Sequence, residues 1–220
     1  MSRRVVVLTA GLSQPSSTRL LADQVADAVR AAVGGRGESV EVETIELREL
    51  AVEMAQTMVS GNRPTPGVVA AQAQVAAADG LVAVTPVFAA SYAGLFKTFV
   101  DLLDPKALDG MPVLLAATAG TPRHSLVLDH AMRPLFAYLR AVVVPTGVFA
   151  ATDDFGGGEG GSDLQRRIQR AAGELAALVV AEPTAVEGFA PTTRDARPQA
   201  FGLAPSASFA DLLRGHDGTV

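Results

Sequence analysis

The chain has 220 residues, 49% of them apolar and 19% charged, with a net charge of −5 and no cysteine. That length supports one domain with a sizeable core, and an acidic balance without a block of like charges argues against a nucleic-acid surface. The absence of cysteine excludes disulfides, a thiolate nucleophile, iron–sulfur clusters and cysteine zinc sites.

Val5-Val6-Val7-Leu8-Thr9 has the apolar continuity of a buried strand. The run Val5–Ala10 is too short for a signal sequence, and no stretch approaches the ~20 apolar residues of a membrane span, which together suit a cytoplasmic protein free of membrane contact. Ala10–Thr18 follows, carrying hydroxyls at Ser13, Ser16, Ser17 and Thr18. Then Leu20, Leu21, Val25, Ala28, Val29 and Ala32 mark an amphipathic helix that Gly34-Gly35 stops. A strand, a Gly- and hydroxyl-bearing loop and a helix start make an anion site, because free N–H groups and the helix dipole both favour a phosphate. One hydroxyl is needed as the N-cap; the others are available to a ligand. The loop matches neither the dinucleotide GxGxxG nor the ATP GxxxxGK[ST] fingerprint. Arg19 either reaches the phosphate or is solvated.

Ser39–Leu47 alternates apolar and acidic residues and reads as a strand near a sheet edge. Arg48–Pro66 reads as a loop, and Val68–Ala78 as an alanine-rich helix ended by Asp79-Gly80. Leu81–Val84 is a strand running into Thr85-Pro86, with helical spacing resuming at Leu95, Phe96, Phe99 and Val100. Lys97 belongs to that helix's surface. Pro112–Ala117 is another buried strand, ending in Thr118-Ala119-Gly120-Thr121-Pro122. His124–Leu139 reads as a helix, apolar on two faces, one for the sheet and one for a partner chain. Pro134 inside it predicts a kink or π-bulge around His130. Val142–Phe149 is a fifth strand interrupted by Pro145, hence an edge or a bulged strand. Asp153-Asp154 are turn residues, Phe155–Gly161 a glycine-rich loop, and Asp163–Val180 a helix with Leu164, Ile168, Leu175, Leu178 and Val179 inward. Residues 1–181 form one domain. Residues 182–220 form a Pro/Ala-rich, partly ordered tail in which Phe209–Leu213 is a single apolar turn. Strands alternating with helices give a three-layer α/β sandwich.

Ligands of such sheets sit at the carboxyl ends of the strands. Three ends converge: Gly11–Thr18, Thr85–Tyr92 and Thr118–His124. The first suits a phosphate, the second offers Phe88 and Tyr92, and the third offers Thr and Gly amides. A ligand with a phosphate at one end and a flat ring at the other fits all three, and FMN has that shape; its flavin carries the redox chemistry, so the protein needs no catalytic dyad. His124 and His130 lack the same-face spacing of a zinc pair, His216 lies in the tail, and no GxSxG nucleophile occurs. No metal site and no catalytic side chain is expected.

The stretches TPVFAASYAGLFKTFVDLL, ALDGMPVLLAATAGTPRHSLVLDHAMRPLFAYLRA and GVFA resemble the NADPH-dependent FMN reductase family, over the span from Arg4 to Ala181. The resemblance is greatest to reductases that supply reduced flavin to the flavin-dependent monooxygenases of two-component systems, such as those acting on alkanesulfonates. It implies a flavodoxin-like fold with a five-stranded parallel sheet of order 2-1-3-4-5, FMN and NADPH as cofactors, and hydride transfer from the nicotinamide to flavin N5. By the same resemblance, Ser13, Ser17 and Thr18 are phosphate-loop hydroxyls. Pro86, Val87, Phe88 and Ser91 line the isoalloxazine. Thr118, Ala119, Gly120 and Thr121 meet its pyrimidine edge, with His124 just beyond. The chain has Gln14 where many relatives have an Arg early in this loop, and Phe88 where many have Tyr; the former implies modest phosphate affinity. His130 takes the place of an aromatic that some relatives carry at a bulge in the subunit contact, implying a homodimer or homotetramer. The alternatives are an FMN-containing quinone or azo reductase, and a non-enzymatic flavodoxin-like electron carrier.

Overall fold

The computed structural model describes residues 2–61, 63–156 and 158–181. The 182–220 tail, with Phe209–Leu213 and His216, lies outside the described residues.

Strands β1 (Arg3–Thr9), β2 (Val40–Glu46), β3 (Gly80–Phe88) and β5 (Pro112–Ala119) run parallel, with β6 (Val142–Val143) and β7 (Val148–Ala151) both pairing β5. The path is β2-β1-β3-β5-β6. The two-residue β4 (Ser91–Tyr92) folds back antiparallel on β3. The sheet therefore has seven strands rather than five. Leaving β4 aside and joining β6 to β7 recovers the expected order.

Alternate residues of each central strand enter opposite cores, as the period of two requires. Val6, Leu8, Leu81, Ala83, Val113 and Leu115 face α2 (Ala51–Val59), α3 (Pro66–Ala77) and α4 (Gly94–Leu102), together with the segment ending in α5 (Arg133–Tyr138). Val5, Val7, Val82, Val84 and Leu114 face α1 (Ser17–Gly34) and α6 (Glu159–Val180). Helices on both faces of a parallel sheet make the flavodoxin-like sandwich.

Five expectations are corrected. Arg48–Pro66 is not a loop: a 3-10 turn, Leu47–Leu50, leads into α2. Leu47, Met54 and Thr57 are buried and Leu50 packs on the same core, a helical stripe shortened by the polar residues between. The Glu53 carboxylate then accepts the Gly67 N–H at 3.0 Å, satisfying an otherwise free donor of α3. Strand β5 continues to Ala119, and α6 begins at Glu159, taking up Gly160 and Gly161. The stretch from 124 to 139 is not one α-helix: a 3-10 turn (Pro122–His124) and a π-helix (Leu128–Met132) precede α5. Leu20, Leu126 and Leu178 are exposed rather than inward.

The distortion around His130 falls where Pro134 predicts it. Proline cannot donate its usual bond, and the Arg133 N–H instead reaches back to the Leu128 carbonyl, an i→i+5 closure. The same Arg133 side chain closes the break in the fifth strand. Its terminal nitrogens donate to the Val144 and Pro145 carbonyls at 3.3 and 3.1 Å, while Glu174 accepts from the Thr146 N–H and hydroxyl at 2.8 and 2.7 Å. Backbone groups that Pro145 removes from the ladder are thus paired elsewhere.

Candidate functional site

The register places the carboxyl ends of β1, β3 and β5 side by side: Thr9 pairs Val84, and Pro86 pairs Thr118. All three sequence-predicted loops therefore open on one edge of the sheet.

At the first, Ser16 is the N-cap of α1. Its backbone is extended, and its Oγ accepts the Arg19 N–H at 3.2 Å. That assignment leaves Ser13 and Ser17, both exposed, outside the capping role. Gly11 is buried under this cap: a Cβ there would lie 2.2 Å from the Ser16 Oγ and 3.1 Å from the Thr18 Cβ. Only glycine lets the loop pass this close. Thr9 ends β1 with a buried Oγ1 that has no hydrogen-bond partner among the described residues. An orphaned buried hydroxyl is uncommon and suits a ligand-binding strand end.

At the second, β3 and β4 form a hairpin around Ala89 and Ala90, at φ 48° and 64°. Both are in the left-handed region that favours glycine, as in the two-residue turn typical of hairpins. Pro86, Val87 and Ser91 are half-buried, and Phe88 is 47% exposed. Thr85 anchors the hairpin base: its hydroxyl accepts the Ala93 N–H at 3.0 Å and donates to the Pro86 carbonyl at 3.0 Å. Tyr92 packs its ring 6.0 Å from Phe96.

At the third, Thr118 is buried, Ala119 and Thr121 are half-buried, and Gly120 and His124 are exposed. A Cβ built on Gly120 meets nothing within 4 Å, so the space beside this turn is open. The Thr118 and Thr18 hydroxyls are hydrogen-bonded at 2.7 Å in a buried position, tying the first loop to the third. Thr118→Val is expected to cost about 1–3 kcal/mol by stranding the buried Thr18 hydroxyl. Chemical denaturation checks this, and a stability within about 0.5 kcal/mol of wild type would rule out that role for the bond.

Arg19 does not stand free. It donates to Asp23 Oδ1 at 2.8 Å and also to Glu46, and these carboxylates, Asp23 foremost, raise its pKa further above the usual arginine value. Three features here escape sequence reading: the orphaned Thr9 hydroxyl, the Thr18–Thr118 link and the Glu46–Arg48 pair beside Gln14. Each depends on which strands are neighbours. The signal available was the rule that β2 flanks β1 in this topology, which brings the residues after Glu46 next to the first loop.

These residues fit a phosphate–ring ligand: hydroxyls and a helix start at one end, an exposed aromatic and an unobstructed glycine at the other. A sequence model described as NADPH-dependent FMN reductase matches residues 3–156. An FMN reductase (NADPH) of Pseudomonas aeruginosa is 38% identical over 178 residues, covering 80% of this chain and 91% of the relative. The NADH-dependent FMN reductase SfnF of Pseudomonas fluorescens is 40% identical over 182 residues, covering 81% and 94%. The crystal structure of an oxidoreductase from Corynebacterium diphtheriae superposes with a TM-score of 0.79 at 57% identity, over 82% of this chain and 98% of that one. A match spanning most of the flavodoxin-like domain shows that the chain belongs to the NADPH-dependent FMN reductase family.

Proposed function

We propose that this edge binds FMN in the orientation the three loops dictate and releases it, once reduced, to a partner flavin-dependent monooxygenase. Reduction of FMN by NAD(P)H is the activity of the family to which the chain belongs. The observation that carries the orientation is the register of neighbouring strands, Thr9 with Val84 and Pro86 with Thr118, which sets Gly11–Thr18 at one end for the phosphate and the turns after Pro86 and Thr118 at the other for the ring. In this reading Ser13 and Ser17 donate to the phosphate oxygens, and Thr18, held by Thr118, sets their position. Pro86, Val87, Phe88 and Ser91 flank one face of the ring. Ala119, Gly120 and Thr121 present backbone to its polar edge, with His124 at the entrance. When bound, FMN supplies the hydride-accepting chemistry; the protein binds, orients and shields.

Relatives named NADH-dependent FMN reductase SfnF and SfnE support a flavin-supplying role. Exposed Leu126, Tyr138 and Val142, large apolar residues on and beside the segment that carries the π-helix and α5, support a homodimer or homotetramer. Among the described residues, no helix is long and apolar enough to cross a membrane. A cytoplasmic location accords with a need for reduced nicotinamide. Residues 1–181 are read as the flavin-binding unit, with 182–220 as an appended tail.

The test is NADPH oxidation by the purified protein with and without added FMN, followed by NADPH absorbance. The expected result is strong dependence on added FMN, with reduced flavin leaving to an external trap. Oxidation that needs no added FMN and yields nothing to the trap would instead indicate a resident flavin serving a quinone or azo acceptor. Flavin binding without NADPH oxidation would indicate an electron carrier.

A further inference from the structure

Residues 10–18 contain no lysine or arginine. A phosphate held there by N–H groups and hydroxyls alone would lack a cation, although charge-assisted hydrogen bonds are the strong ones. Two guanidiniums lie close. Arg19 is engaged by Asp23 and Glu46. Arg48 is placed differently. Glu46, the last residue of β2, pairs Thr9 in register, so the chain beyond Glu46 emerges beside the loop that leaves β1. Arg48 Nε donates to Glu46 Oε2 at 2.7 Å, and the Glu49 carboxylate is 4.0 Å from a terminal nitrogen. With its amide assigned so that the oxygen rather than the nitrogen faces the guanidinium, Gln14 accepts from both terminal nitrogens of Arg48 at 2.5 Å. Gln14 lies inside the loop itself. One acceptor oxygen takes one hydrogen from each terminal nitrogen, and a guanidinium has five N–H, so two remain. The Arg48 side chain is 20% exposed: sheltered, yet reachable by a ligand.

We propose that Arg48 is the phosphate-binding cation of this site, delivered from the end of β2 and aimed by Glu46 and Gln14. The proposal rests on the reading that Gly11–Thr18 hold the FMN phosphate. It gives Gln14 a role that a loop arginine would not need: it docks a cation supplied by the neighbouring strand. Glu46, shared between Arg19 and Arg48, tempers the positive charge and keeps the grip on phosphate modest, which suits a flavin that must leave.

The test compares FMN with riboflavin, which lacks the phosphate, by flavin fluorescence titration of wild type, Arg48→Met and the double variant Arg48→Met/Gln14→Arg at low salt. Wild type is expected to prefer FMN. Arg48→Met is expected to weaken FMN by at least about tenfold while leaving riboflavin within about twofold. The double variant, with the charge moved into the loop, is expected to recover most of the FMN affinity. Equal weakening of both flavins, no weakening of either, or no recovery in the double variant would overturn the role of Arg48. A wild type that binds FMN no better than riboflavin would overturn the phosphate-loop reading itself, and Arg48's role with it.

Discussion

Gly11→Val is expected to weaken FMN binding by about 100-fold or more, equivalent to about 2.7 kcal/mol. A Cβ at this position would sit 2.2 Å from the Ser16 Oγ and 3.3 Å from the Ser16 Cβ, so Ser16 has to rotate or retreat. Either movement breaks its bond to the Arg19 N–H, removing the N-cap of α1. Loss of a cap costs about 1 kcal/mol of stability. The larger effect falls on the ligand. The same movement displaces the helix start and the Ser13 and Ser17 hydroxyls in the loop around it, and each hydrogen bond lost to a charged group is worth about 1.5–3 kcal/mol. Thr18, 3.1 Å from the added atom, transmits the push to Thr118 and so to the third loop. Fluorescence titration and thermal unfolding of the same variant separate the two losses. FMN affinity within about threefold of wild type would mean that the phosphate is bound elsewhere.

Phe96→Ala is expected to destabilise the fold by about 3–5 kcal/mol, the range for emptying a buried aromatic site. Phe96 is fully buried on α4, with Tyr92 6.0 Å and Phe136 6.2 Å away, ring centre to ring centre. It therefore joins the hairpin of the second loop to α5. Removing it opens a cavity among three elements and takes away the floor on which Tyr92 rests. Against a typical total stability of about 5–15 kcal/mol, the loss is large. Phe88→Ala is the contrast. Phe88 is 47% exposed and makes little of the core, so its truncation is expected to leave stability within about 0.5 kcal/mol while reducing flavin affinity. Guanidinium denaturation and flavin titration of both variants check the pair. A Phe96→Ala protein as stable as wild type would show that this site collapses without cost, and the aromatic link between hairpin and α5 would lose its stated role.

Much of this was legible in the residues alone, because it depends on local chemistry. Continuous apolar runs at Val5–Leu8, Leu81–Val84 and Val113–Ala117, short and bounded by turn residues, read as strands buried on both faces. The hydroxyls before α1 mark a helix start, and proline at 134 and 145 forbids regular backbone wherever it falls. From these follow the parallel sheet, the three converging loops, the irregular helix at His130 and the broken edge strand. What the tertiary structure decided is whatever requires knowing which strand lies beside which. Ser16 rather than Ser17 or Thr18 became the cap because Gly11 lets the loop fold under it, and Thr18 turned instead to Thr118, a hundred residues away in sequence. Arg19, already held by Asp23 one turn on, gained Glu46, and Arg48 came beside Gln14, only through the pairing of β2 with β1. Helix α2 was hidden for the same reason: its own buried stripe is only Met54 and Thr57, with Leu50 in the turn before it, too weak to fold alone, and it gains its stability from the core it meets. Propensity and pattern act over a few residues, whereas hydrogen bonds and ion pairs between distant segments exist only once the sheet has assembled.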